Sequence, residues 1–341
     1  VRHHHEDSPK HARRTPAGPP QSFKRPAAML AATVSLFIAS ASLGNLQAAD
    51  LVIAVPNWPS GQATANILKV AIGKNFGLEA DLLEMGELNA FAGLESGELD
   101  IHPEVWRPNL DAAIEKYVDE KKAVVLAKRA VAAWQGLCAT EDAEKAGIKS
   151  VKDLSDPEKG ALLDTDGDGR GELWIGAATW TSASIERVRA LSYGYASNLT
   201  LVEAEEDVGM AAVDAAVATG RPMVFACYAP HNVFELHKVT RLEEPAYDPA
   251  RWKIAPGSDP LWIEHSKADV AWPPSEFHIA WSTSFGAKHA DVAAFLEKVD
   301  LTPEEVTAMT YALQVERTPP ADYAEKWVAE NAARIQGWAK P

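Results

Sequence analysis

Between residues 51 and 106 the chain alternates short apolar runs with amphipathic stretches, a pattern that few folds can use. Leu51–Val55 (LVIAV) reads as a strand closed by Pro56, and Ala63–Lys74 as a helix ended near Gly77. Ala80–Met85 reads as a second strand and Leu88–Ser96 as a second helix. Leu99–Ile101 begins a third strand, leading into His102-Pro103-Glu104-Val105-Trp106. Strands separated by single helices predict a parallel sheet, with the helices covering its faces. In such sheets ligands sit beyond the carboxyl ends of the strands. Trp58 follows the first strand and Trp106 the third, so both are expected at one crevice.

The pattern then repeats. A helix is expected near Asn109–Glu120 and a strand near Ala130–Leu137. A second alternating set follows: a strand at Trp174–Ala178, a helix from Ser182 to Tyr195, a strand at Thr200–Val202, a helix from Val208 to Thr219 and a strand at Met223–Tyr228. Phe277–Trp281 reads as another strand, and helices are expected at His289–Val299, Pro303–Gln314 and Asp322–Gly337. The expectation is an α/β protein of two lobes with a ligand cleft between them. Chain crossings near Ala132–Gly136 and Glu276–Ile279 divide it into residues 50–133 with 278–341 as a discontinuous first lobe, and 134–277 as the second.

Charge excludes one class of partner. The chain carries a net −15, and its first 49 residues hold six basic and two acidic groups, so the remainder carries −19. A surface that acidic repels phosphate backbones, and nucleic-acid binding is not expected. Lys24 and Arg25 precede an apolar, small-residue run from Pro26 to Leu43, followed by Gly44-Asn45-Leu46-Gln47-Ala48-Ala49. A basic start, a short apolar middle and a small-residue exit read as a secretory signal peptide cleaved between Gly44 and Ala49. With no cysteine nearby, a free periplasmic protein is expected rather than a lipid-anchored one. Residues 1–22, rich in His, Arg and Pro and beginning with Val, read as sequence ahead of the true start. The two cysteines, Cys138 and Cys227, either pair after export or remain as separate buried thiols; spacing does not decide between them.

All 11 tryptophans lie after residue 50. Several sit at predicted strand ends beside Pro or Gly: Trp58 in NWPSG, Trp106 in EVWRPN and Trp180 in AATWTSAS, with Tyr228 in CYAPHN at the equivalent place in the second lobe. Aromatic rings that serve a core belong inside strands and on helix faces, whereas rings after strand ends point at the cleft. Rings converging on one point suit a quaternary ammonium, which has no N–H to donate and is held by ring quadrupoles. Sugar stacking beside a calcium site is the alternative, with a Ca-dependent carbohydrate-binding or hydrolytic protein as its function.

Asp164-Thr165-Asp166-Gly167-Asp168-Gly169-Arg170-Gly171-Glu172 sets carboxylates at alternating positions around glycines, like the first half of a calcium loop. The twelfth position is Ile175, so the bidentate Glu of an EF-hand is missing, and Glu172 is expected to serve instead. Asp164, Asp166, Asp168, Arg170 and Glu172 are the expected metal-loop residues, with a structural Ca²⁺ bracing the loop ahead of Trp180; a solvated acidic turn is the alternative. No nucleophile elbow, P-loop, dinucleotide fingerprint or zinc motif occurs, and no enzymatic activity is expected.

The order of WPSG, EVWRPN, DTDGDGRGE, ATWTSAS and CYAPHNVFEL resembles the glycine betaine/choline/proline-type substrate-binding family of ABC importers, over nearly all of residues 50–338. The resemblance implies a type II periplasmic binding protein, monomeric and needing no cofactor, that delivers a methylated-ammonium solute to an inner-membrane permease and ATPase. It maps an aromatic cage onto Trp106, Trp180 and Tyr228, with Trp58 and Trp134 as further walls. For the ligand's polar end it points to His231, to the amides after Trp180 and to those around Ser60-Gly61. Glu104, two residues before Trp106, is expected to face the cation or to bond a ligand hydroxyl or N-oxide. Where some relatives carry a histidine shortly after the first cage tryptophan, this chain reads Arg107-Pro108-Asn109-Leu110.

Overall fold

The computed structural model describes residues 49–340; the expected signal peptide and the extension ahead of it lie outside the described residues. The first strands are β1 (Leu51–Val55), β2 (Ala80–Glu84), β3 (Ile101–Arg107) and β4 (Val124–Leu126). They are followed by β5 (Val131–Thr140), β6 (Gly171–Trp174), β7 (Leu199–Val202), β8 (Val224–Ala229) and β9 (Val239–Arg241). A two-stranded ribbon, β10 (Trp252–Lys253) and β11 (Lys267–Ala268), precedes β12 (Ser275–Ser282).

The strands of the main sheet run in the order β2-β1-β3-β12-β5-β8-β6-β7, with β4 on β12 and β9 on β5. β1 pairs in parallel with β2 and β3, and β6 in parallel with β7 and β8, as the helical crossovers require. β5 joins the two halves. Its first residues, Val131–Ala133, pair with β12, and Trp134–Ala139 pair with β8. One strand therefore belongs to both lobes of this mixed α/β fold.

Local sequence explains where the helices begin. Pro59 and Thr181 open the helices Pro59–Phe76 and Thr181–Tyr193, which leaves Trp58 and Trp180 as their N-caps, in extended backbone. The first of these helices starts four residues earlier than Ala63, because proline's missing N–H costs nothing in a first turn. Strand boundaries moved more. β3 runs on to Arg107, so Trp106 lies in the last residues of its strand rather than beyond it, while Tyr228 stays at its strand's end in β8 as expected. β6 ends at Trp174, where the expected strand was to begin. The helix expected over Asn109–Glu120 is one α-turn, Asp111–Ile114, continued as a π-helix, and the last expected helix breaks at Asn331 into Pro320–Glu330 and Ala332–Ala339.

Cys138 and Cys227 form a disulfide. Cys138 faces Phe225 and Cys227 faces Gly136 in the antiparallel β5–β8 register, so their Cα atoms stand 5.7 Å apart, a bridgeable separation. The bond ties the shared strand to the second lobe.

Candidate functional site

Trp58, Trp106, Trp180 and Tyr228 line one cavity, together with Glu87, Asn109, Gln135 and Ser182. The unfilled space is ≈ 330 Å³ counting the open mouth. Neighbouring rings stand nearly at right angles: Trp58 to Trp180 at 6.3 Å and 87°, Trp180 to Tyr228 at 6.2 Å and 80°, Tyr228 to Trp106 at 5.6 Å and 81°. Such rings are walls of a box rather than members of a stack. Each lobe supplies two, one from a helix N-cap and one from a strand end.

Buried polar groups fix the rings from behind. Glu104 is fully buried, on the same face of β3 as Trp106 because the two stand two positions apart along the strand. Its Oε2 accepts the indole N–H of Trp58 at 2.6 Å and of Trp106 at 3.3 Å, and the hydroxyl of Ser60 at 3.1 Å. Its Oε1 accepts the Thr64 hydroxyl at 3.3 Å. Burial raises this carboxyl to about 7 even though all four donors favour the charged form. Glu104 thus sits behind the rings and does not line the cavity, contrary to the expectation that it meets the ligand directly. Tyr228 donates its hydroxyl to Glu206 Oε1 at 2.9 Å. Burial, then the Glu206 charge, lifts this phenol well above its ordinary value, so the ring remains a neutral donor.

The second-lobe ring is held from across the cleft. Trp180 donates its indole N–H to Asn57 Oδ1 at 2.8 Å, while Asn57 Nδ2 donates to Thr179 Oγ1 at 3.0 Å and Glu205 Oε2 at 2.8 Å. Glycine is required beside it: Gly176 has φ +109°, and a Cβ there would stand 2.7 Å from Trp180 Cε3. Glu87 opens the helix Glu87–Ser96 and reaches across to accept the Thr181 backbone N–H at 2.7 Å. Burial raises the Glu87 carboxyl above its usual range, against the pull of the Thr181 N–H and hydroxyl. On the far side, Gln314 Nε2 donates to Glu206 Oε1 at 3.1 Å and the Asn232 N–H donates to Thr310 Oγ1 at 2.9 Å.

Two expected contact residues lie elsewhere. Trp134 packs on Phe234 at 5.2 Å and beneath the Arg241 guanidinium at 5.0 Å. Adjacent strand residues face opposite ways, so it is the next residue, Gln135, that enters the cavity. His231 gives no hydrogen bond toward the cavity: its Nδ1 accepts the Val233 N–H at 3.1 Å, which leaves Nε2–H to donate to Glu206 Oε1 at 2.7 Å. Ser60 bonds Glu104, and a Cβ on Gly61 would crowd Trp58 Nε1 at 2.8 Å, so both residues serve to seat Trp58.

In the acidic loop, one oxygen from each of Asp164, Asp166, Asp168 and Glu172 falls within 4.8 Å of the others. Asp164 also accepts the N–H groups of Asp166, Gly167 and Gly169, which fold the loop around it. The Arg170 side chain leaves the cluster and bonds the carbonyls of Ala196, Ser197 and Leu199. Among the described residues no helix is long and apolar enough to cross a membrane.

Residues 49–330 match the substrate-binding domain of the ABC-type glycine betaine transport system. The glycine betaine/proline betaine-binding periplasmic protein of Salmonella typhimurium is 17% identical over 218 residues, 58% of this chain and 61% of that protein, so the match spans less than two thirds of the relative. An ABC-transporter choline-binding protein solved with choline superposes with a TM-score of 0.67 at 19% identity, over 84% of this chain and 90% of that one. Lactococcal OpuAC, in its closed form with glycine betaine, gives 0.65 at 17% identity over 85% and 99%. These likenesses assign the two-lobed type II periplasmic binding protein fold, with its cleft, and the family is one of transport proteins rather than enzymes. The chain belongs to the family of substrate-binding domains of ABC-type glycine betaine transport systems.

Proposed function

We propose that this protein binds a methylated-ammonium solute of the glycine betaine, choline or trimethylamine N-oxide class in an aromatic cage formed by Trp58, Trp106, Trp180 and Tyr228. It hands that solute to a permease and ATPase in the inner membrane. The supporting observation is the ring box: four near-perpendicular rings around one cavity, three of them giving their polar hydrogen to a buried carboxylate. A trimethylammonium head gains roughly 0.5–2 kcal/mol from each ring it faces and loses no hydrogen bonds on leaving water. Among the described residues lining the cavity, Glu87 is the sole carboxyl, which gives no acid–base pair for hydrolysis.

In this reading the protein is periplasmic and monomeric. Its lobes follow the division 50–133 with 278–341 and 134–277, and hinge motion falls in β5 near Trp134 and in β12 near Phe277 and His278. The loop carboxylates of Asp164, Asp166, Asp168 and Glu172, hard oxygen donors close together, suit a structural Ca²⁺. Titration calorimetry against glycine betaine, choline, carnitine, trimethylamine N-oxide, proline and sugars, with and without calcium, tests the whole reading. Tight binding of one methylated amine is expected. Heat from a sugar alone, with none from any amine, would overturn it.

A further inference from the structure

Glu87 carries information about the ligand's polar end that the ring box does not, and its reading rests on the cage proposed above. The helix Thr181–Tyr193 begins at the cavity wall, with Ser182 among the lining residues. The free N–H groups and positive dipole end of such a helix start are where a ligand carboxylate would be held. In this chain a carboxylate from the other lobe is already there: Glu87, only 5% exposed, accepts the Thr181 N–H at 2.7 Å.

The remaining polar lining groups do not replace what Glu87 occupies. Asn109 and Gln135 bond one another twice, at 2.9 and 2.7 Å, and Gln135 also donates to Ser275 at 3.1 Å. No Arg, Lys or His is among the described residues lining the cavity. A betaine carboxylate seated here would confront Glu87 in an apolar space with no cation to offset the pair. A hydroxyl, in contrast, would donate to the carboxylate, and an N-oxide oxygen would share a proton with it.

We propose that Glu87 is the specificity-determining residue. Its carboxyl takes the position at the helix start that would otherwise receive the ligand's own carboxylate, so the site selects a trimethylammonium compound without a carboxylate over glycine betaine. Burial raises the Glu87 carboxyl above its ordinary range, the direction that eases sharing a proton with an N-oxide oxygen.

The test is titration calorimetry of the purified protein and of Glu87→Gln with choline, trimethylamine N-oxide and glycine betaine. Glutamine keeps the size and one acceptor for the Thr181 N–H, and a thermal melt confirms that the variant folds. The wild type is expected to bind choline or trimethylamine N-oxide at least tenfold more tightly than glycine betaine. Glu87→Gln is expected to shrink that ratio at least tenfold, chiefly through gained affinity for betaine. Whichever of the two preferred ligands dominates in the wild type tells a hydroxyl reader from an N-oxide reader. A wild type that prefers glycine betaine, or a ratio unchanged in the variant, overturns the role of Glu87 and leaves the cage intact. Failure to bind any of the three overturns the cage, and this role with it.

Discussion

Replacing Glu104 by glutamine isolates what a buried charge behind the rings contributes to binding. Glutamine preserves the shape. Its oxygen, turned toward Trp58, Ser60 and Trp106, keeps those three donors, and its amide meets the Thr64 hydroxyl, which is free to rotate and accept. What disappears is the negative charge one indole away from the proposed cation. At about 7 Å and an effective dielectric of about 20, that charge is worth about 2 kcal/mol, or roughly thirtyfold in affinity.

The sign of the pH dependence follows from the carboxyl's position near 7. A bound cation favours the ionised form, so it pulls the Glu104 pKa down and releases a proton on binding. Affinity for a permanent cation such as choline is therefore level above about pH 7.5 and falls as the pH drops through 7, by up to roughly thirtyfold. His102, whose Nδ1 accepts the Glu104 N–H, cannot be the source, because burial holds it near 4 and it stays neutral over this range. Glu87, whose carboxyl burial also raises, acts in the same sense in both proteins, so the difference between their profiles belongs to Glu104. Calorimetry at pH 5, 6, 7 and 8 is expected to show Glu104→Gln about thirtyfold weaker than wild type at pH 8 and nearly equal to it at pH 5. Matching pH profiles for the two proteins, or affinities within threefold at pH 8, would refute the electrostatic role.

Other changes act on the rings and on the frame. Trp180→Ala removes one ring face and the bond to Asn57, about 2 kcal/mol together, and is expected to weaken a trimethylammonium ligand at least tenfold; unchanged affinity in calorimetry removes Trp180 from the cage. The double variant Cys138→Ser, Cys227→Ser reopens a link across 89 residues and is expected to cost roughly 2–5 kcal/mol in urea unfolding, whereas an unchanged midpoint would mean that the bond does not restrain the unfolded chain. Arg189→Leu strands two buried carboxylates, since Arg189 bonds Glu186 at 2.8 Å and Glu244 at 2.7 Å. It is expected to cost about 3–5 kcal/mol, and a thermal melt shifted by only a degree or two would contradict that.

The sequence disclosed the topology and the four rings because both are written in short-range signals. Apolar runs bounded by Pro and Gly mark strand ends, and Trp58, Trp106, Trp180 and Tyr228 stand at those ends. What it concealed depends on one-residue parity and on long-range pairing. Trp134 drew attention as an aromatic in AAWQG, yet strand alternation sends Gln135 into the cavity and Trp134 onto Phe234. Glu87 was hidden by one residue of helix boundary: with the helix expected from Leu88, it belonged to a loop, although Met85-Gly86-Glu87 follows β2 as Asn57-Trp58 follows β1. Glu206 could not be found locally, since its partners Tyr228, His231 and Gln314 lie 22, 25 and 108 residues away.

Three hydrogen bonds close to the rings join the lobes, and this bears on how a small solute could close the cleft. Trp180 is held by Asn57, Tyr228 shares Glu206 with Gln314, and the helix after Trp180 starts on Glu87. When the lobes part, each of these groups regains water, so each bond contributes a net of only about 1 kcal/mol to closure. Three such bonds together amount to about 3 kcal/mol, a bias small enough for a modest differential affinity to move. In the proposed cage a trimethylammonium head would touch rings from both lobes and so bind the closed arrangement more tightly than one in which the lobes stand apart and two of the four walls are withdrawn. At roughly 0.5–2 kcal/mol per ring, the two walls gained on closure supply about 1–4 kcal/mol, enough to shift the population toward the closed state by about five- to several-hundredfold.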